Sequence, residues 1–269
     1  MFSKLVKNEF VNRWKSILSI YGALLGASLL MLIMTKIYQG TSSNFFQMLY
    51  GLYAFLYVLL LLISFASVFF LPLADFRKRF FKDQGYLTHT LPVKTSTLLM
   101  SRMVCDLSML LGMAIVYPLS ICIAAGNFDF FTAVGEVCGR LFEMIGFDAS
   151  VGLTVLLTLL LMLVAYLYNL WVFNCSYAMG HCLFRKGKRI MSVVIFLAIL
   201  LVSSLVSSAV SNALQDADLT GTMVSSSHYS VAISTLNTIL LIWTLFMIVG
   251  TGVLVAVTNW VFRKHLNLD

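Results

Sequence analysis

The chain has 269 residues, 60% of them apolar and 11% charged, with a mean hydropathy of +0.94. Soluble domains carry about 25% charged residues, so the polar surface here is too small to cover a water-facing globule, and the chain reads as an all-α polytopic membrane protein. The net charge of +7 would suggest nucleic acid in a soluble chain, but in a membrane chain it is a topology signal and no nucleic-acid partner is expected.

The opening stretch MFSKLVKNEFVNRWKS puts Phe2, Leu5, Val6, Phe10 and Trp14 near one helical face, with Lys4, Lys7, Asn8, Arg13 and Lys15 largely elsewhere. That pattern predicts an amphipathic interfacial helix in the cytoplasmic headgroup plane. No cleavable leader is expected, because the apolar run that follows has no small-residue cleavage site. Six transmembrane helices are predicted: Ile17 to Met34, Met48 to Leu71, Met103 to Ala125, Ala149 to Phe173, Ile190 to Ser211 and Val231 to Thr258. Each is close to or above the roughly 20 residues that cross the hydrocarbon as a helix. The fourth and sixth sit in uncharged runs of 36 residues (Ala149 to Phe184) and 34 residues (Tyr229 to Phe262), which predicts tilt or interfacial continuation. The short connections leave no room for a soluble domain, so residues 1–269 form a single transmembrane domain.

The connections before span one, between two and three, between four and five, and after six hold 4, 6, 4 and 2 Lys or Arg residues, and the other face holds only Lys36 and Arg140. By the positive-inside rule both termini are cytoplasmic.

The largest basic connection, Pro72 to Arg102, mixes Arg77, Lys78, Arg79 and Lys82 with Phe76, Phe80, Phe81 and Tyr86. Gly85 can end a short helix, Pro92 enforces an extended approach at Leu91, and Thr95 or Ser96 can cap the next helix. A hydrophobic and basic helix-turn-helix suits either a cytoplasmic docking element or a loop held by anionic lipid. Arg102 and Asp106, spaced i,i+4, are expected to neutralise one another at the interface. On the other side, Phe131, Val134, Val137, Leu141 and Ile145 at helical spacing, with Glu136, Arg140 and Glu143 between them, predict a short amphipathic helix, and Asn212 to Ser230 reads as a solvated turn. Pro118 is expected to kink span three, and Ser203, Ser204, Ser207, Ser208 and Ala209 give span five a small-residue face for close packing.

No reactive constellation is spelled out. His89, His181, His228 and His265 are far apart, and Cys105, Cys122, Cys138, Cys175 and Cys182 show no metal-ligand spacing. The sequence has no HExxH, GxSxG or Walker lysine motif. The chain is therefore expected not to be an enzyme, and to bind no metal or cofactor itself.

Three stretches resemble a known family. DQGYLTHTLPVKTSTLLMSRMV (residues 83–104) is similar to a "GYL-T-LP" segment; YAMGHCLFRKGKRIMSVVIF (177–196) has Gly180, His181 and Phe184 before a basic turn; NWVFRKHLNLD at the end carries Arg263, Lys264, Leu266, Asn267 and Leu268. The chain looks like an ABC-2-type permease, the membrane subunit of a bacterial ATP-binding-cassette exporter. The resemblance implies a multi-pass protein of the bacterial cell membrane, a second permease copy or a paralogous permease, and a separate cytoplasmic ABC ATPase that holds ATP and Mg. It implies ATPase contacts at Phe10, Trp14, Arg77, Phe80, Phe81, Gly85, Tyr86, Leu91, Pro92 and Lys94. It also implies a peptide, drug or other amphiphilic cargo moved out of the cell or membrane, with lipid around the spans. A non-transporting scaffold or immunity protein, and a secondary carrier, are the alternatives.

Overall fold

The computed structural model describes residues 2–40, 44–81, 94–126, 132, 135, 136, 139, 140, 143, 149–184, 187–216 and 229–265. It is all-α, with six long helices: α1 (Phe2–Gly40), α2 (Asn44–Phe81), α3 (Thr95–Ala125), α4 (Ala149–Leu183), α5 (Lys188–Asp216) and α6 (Tyr229–His265). All six are long and apolar enough to cross a membrane. At 29 to 39 residues and about 1.5 Å per residue, they overreach a hydrocarbon core of about 30 Å. The helices therefore continue as helix beyond the predicted spans, because nothing in the flanking sequences breaks them.

Four details differ from the sequence reading. α1 runs without interruption from Phe2 through Ser16 into the apolar run, so the basic opening stretch is the first turns of the spanning helix. α2 passes through Pro72 and ends at Phe81. The Pro72 ring removes one amide donor, but the nine residues that follow keep helical geometry and carry Phe76, Phe80 and Phe81 into a packed cluster. At the start of α3, the Lys94 carbonyl accepts from the Thr97 and Leu98 amides, at 3.0 and 3.3 Å. Lys94, rather than Thr95 or Ser96, is thus the capping position. The Thr95 hydroxyl instead donates to Asn259 Oδ1 on α6. α5 extends as helix to Asp216, into what reads as a turn. In the connection after α3, Thr132, Gly135, Glu136, Gly139, Arg140 and Glu143 are helical and exposed, while Phe131, Val134, Val137, Leu141 and Ile145 lie outside the described residues.

The surface is inverted relative to a soluble protein. Ile63, Phe70, Ile115, Ile190, Leu201 and Leu205 are 66–71% exposed, whereas Arg13, Arg102, Asp106, Ser120, Asn174 and Thr258 are buried. An apolar exterior over polar packing positions is the arrangement that lipid selects, since interhelical polar groups have no water to turn to.

The chain divides into two compact units, Met1–Pro72 with Met100–Gly139 and Leu73–Leu99 with Arg140–Asp269. In the first unit, Tyr57 donates to or accepts from Ser120 Oγ at 2.7 Å, Tyr53 donates to the Ala27 carbonyl at 3.1 Å, and Met31, Tyr57 and Ala124 form a buried core. Gly112 leaves room for the Tyr21 ring, whose hydroxyl donates to the Met109 carbonyl at 2.6 Å. In the second unit, α4 packs along both α5 and α6. Its buried stripe includes Tyr166, Leu170, Trp171, Asn174 and Ala178. Asn237 of α6 closes a polar clasp on α4: its Nδ2 donates to the Ser150 carbonyl at 2.9 Å and its Oδ1 accepts from Thr154 at 2.6 Å. Intramembrane hydrogen bonds of this kind average about 0.6 kcal/mol, so Asn237→Leu should cost about 1 kcal/mol for the pair and lower the thermal midpoint in detergent by a few degrees, with the fold kept.

Candidate functional site

Two places hold chemistry that the apolar spans do not need for spanning. The first is ionic and lies in the first unit. Glu9 and Arg13, one turn apart on α1, are 8% and 4% exposed, and Arg102 and Asp106, one turn apart on α3, are 1% and 0% exposed. The Arg13 guanidinium donates to Asp106 Oδ1 as a buried ion pair joining α1 to α3. Arg102 Nε stands 3.9 Å from Asp106 Oδ2, and its Nη2 donates to the Pro72 carbonyl of α2. Asp106 is thus paired with its expected i,i+4 neighbour Arg102 and also with Arg13 of α1, while Arg102 reaches across to α2. A second carboxylate, Glu9, is buried on α1 one turn before Arg13. Formally the four charges cancel, which is what burying them in a low dielectric demands. Through Arg13 with Asp106 and Arg102 with Pro72, the cluster fastens α1, α2 and α3 together.

The second place is the end of the second unit where the C-termini of α2, α4 and α6 meet. Phe80 stacks on Phe262 at 5.0 Å between ring centroids, and Phe76 lies 4.9 Å from Phe80. Phe81 contacts Tyr177 at 5.2 Å, His181 at 5.1 Å and Phe262 at 5.8 Å. Arg77 lies over the Tyr177 ring at 6.0 Å, within cation–π range. α5 joins this end through Gly180, where a Cβ would sit 2.7 Å from the Ser192 backbone nitrogen. α3 joins it through Thr95 and Asn259. The helix ends so gathered carry Arg77, Lys78, Arg79, Lys94, Lys188, Arg189, Arg263 and Lys264. Buried aromatic rings thus hold a basic rim in place. Six of the eight basic residues are exposed, and Arg79 and Lys188 are half-buried.

Searches against known proteins add no relative to this geometry. The chain matches no family model, no curated protein and no solved structure. What can be said of the site therefore rests on its residues.

The structure separates the residues expected to meet an ATPase. Arg77 and Lys94 are exposed on the basic rim. Phe80 is 2% exposed and Phe81 half-buried, both turned into the aromatic cluster of their own unit. Phe10 and Trp14 are 36% and 47% exposed on α1, with ring centroids 5.4 Å apart. Gly85, Tyr86, Leu91 and Pro92 lie outside the described residues, as do His89, His228 and Cys138. His181 packs between Phe81 and Tyr177, at 4.3 Å from the latter ring. Cys105, Cys122, Cys175 and Cys182 are free thiols, and no group of three or more His, Cys, Asp or Glu that could hold a metal occurs among the described residues.

Two open apolar grooves also occur among the described residues. One, of about 610 Å³, lies in the first unit between the start of α1 and α3, lined by Val6, Phe10, Val104 and Lys7 among others. The other, of about 510 Å³, lies in the second unit among α4, α5 and α6, and includes the Tyr168 and Ser203 hydroxyls, 2.6 Å apart.

The sequence reading missed the Arg13–Asp106 pair and the burial of Glu9. A signal was present, since Glu9-x3-Arg13 and Arg102-x3-Asp106 are two opposite-charge i,i+4 pairs at the mouths of two spans. Such pairs read equally well as self-contained surface bridges; only the approach of the helices shows that they are shared.

Proposed function

We propose that this chain is the membrane-spanning subunit of an ATP-driven exporter of the ABC-2 permease type, with ATP bound and hydrolysed by a separate cytoplasmic ATPase. The observation that carries the reading is the basic rim on its aromatic platform in the second unit. A rigid patch of exposed Arg and Lys backed by interlocked rings suits docking of an acidic protein surface better than a loosely solvated topology signal would require. Placing that rim in the cytoplasm puts both termini there as well, in keeping with the positive-inside rule. On this reading Arg77 and Lys94 touch the ATPase directly, and Phe80 and Phe81 act by holding the rim rigid. Phe10 and Trp14 remain contacts that the family resemblance alone suggests. ATPase closure would rock the helices through this rim, two permease chains would form the path, and the cargo would be a peptide, drug or other amphiphile leaving the bacterial cell membrane.

Co-purification from detergent with a candidate ABC ATPase, one encoded in a neighbouring gene, tests the reading. Wild type should retain the ATPase, and Arg77→Glu with Lys78→Glu should reduce retention at least ten-fold and weaken it further with salt. Folded wild-type protein that retains no ATPase, next to an ATPase that is active on its own, would favour the scaffold or carrier alternatives.

A further inference from the structure

We infer that the groove between the first turns of α1 and the Val104–Ser108 stretch of α3 is a binding site for one anionic phospholipid, with an acyl chain in the groove and the headgroup phosphate on Lys7. The groove is open, has a volume of about 610 Å³ and is walled by Phe2, Val6, Phe10, Val11 and Val104, with Lys7 and Ser3 on its lining. Its shape and apolar walls suit a hydrocarbon chain, and its one charged side chain is a cation.

Depth and charge both select this occupant. The uncharged run of α1 begins at Ser16 and fills the hydrocarbon, so the preceding turns stand at headgroup level. At that level a soluble surface would not leave Phe2, Phe10, Val11 and Trp14 at 36–59% exposure. The fold also sorts the charges of this stretch. Glu9 and Arg13 are withdrawn into the ionic cluster, and Lys4, Lys7 and Lys15 remain exposed. What faces the headgroups is thus uniformly basic beside an apolar groove, the combination that attracts an anionic lipid. The site stands independently of the exporter reading, and it makes Phe10 a lipid contact rather than an ATPase contact.

Native mass spectrometry of the full-length protein in detergent, titrated with phosphatidylglycerol and with phosphatidylcholine of identical chains, tests this. One phosphatidylglycerol should be retained several-fold more tightly than phosphatidylcholine. Lys7→Gln should weaken phosphatidylglycerol retention about five-fold and leave phosphatidylcholine unchanged, Lys7→Arg should keep the preference, and Lys15→Gln, outside the groove, should not change it. Equal retention of the two lipids by wild type would overturn the site. So would equal losses from Lys7→Gln and Lys15→Gln, which report diffuse surface charge, or displacement of the lipid by millimolar inorganic phosphate, which reports a free-anion site.

Discussion

Replacing Asp106 by Ala should remove about 3–5 kcal/mol of stability, the cost of leaving buried cations without their counter-charge. Asp106 is fully buried, Arg13 is 4% exposed and Arg102 1% exposed, so neither guanidinium reaches water without prising α1 from α3. The expected result is loss of the monodisperse peak in fluorescence-detected size-exclusion chromatography, or a thermal midpoint lowered by ten degrees or more. The informative companion is the double variant Arg13→Met with Asp106→Leu. Swapping a buried ion pair for apolar groups of similar size is often neutral or stabilising, so the double variant should recover much of what Asp106→Ala loses. If single and double variants are equally unstable, the pair is not the fastener that its geometry indicates.

Gly180→Ala should be more damaging than Ala at any other described glycine whose Cβ would meet a neighbour. A Cβ at Gly180 would run into Ser192 Oγ and lie 2.7 Å from the Ser192 backbone nitrogen and Cα. The side-chain contact could be relieved by rotation, but the backbone contacts can be relieved only by moving α4 away from α5. Overpacking of this kind costs about 1–3 kcal/mol and occasionally more, and the double variant Gly180→Ala with Ser192→Ala should not rescue it. Gly250→Ala should be milder, since the nearest atom is Tyr168 Cε2 at 2.8 Å, on a ring that can swing. Gly51→Ala, with nothing within 4 Å, should stabilise its helix by up to about 1 kcal/mol. Thermal midpoints of the four variants in one detergent check the order, and a Gly180→Ala midpoint at or above that of Gly250→Ala would contradict the close approach of α4 and α5.

Both contacts, Arg13 with Asp106 and Gly180 with Ser192, join helices that the sequence alone does not bring together. Gly180 stood in a stretch singled out for its likeness to a permease motif, but its use as a helix contact is visible only once Ser192 is beside it. The Ser-rich face of α5 shows the converse. Ser203 meets Tyr168, yet Ser204 and Ser208 are exposed, each donating to its own helix carbonyl three residues back. A small-residue stripe permits close packing but does not say which of its members a neighbour uses.

Helix number, approximate position and membrane character follow from the sequence alone, because crossing a hydrocarbon slab is a one-dimensional requirement: about 20 uncharged residues in a row satisfy it whatever else is nearby. The 16-to-2 division of basic residues is equally local. Where the helices end was less legible, since α2 continues through Pro72 and α1 through its basic stretch on packing that lies outside each segment. The pairing of Asp106 with Arg13, the burial of Glu9 and the aromatic platform under the basic rim were decided by tertiary structure only. They depend on residues far apart in sequence meeting in space, 93 positions for Arg13 and Asp106 and farther for Phe80 and Phe262, and on which side of a helix faces protein rather than lipid. In a membrane chain apolar residues cover both sides of the spans, so periodicity cannot tell the two apart, and the buried polar and charged contacts between helices become visible only when the helices are packed.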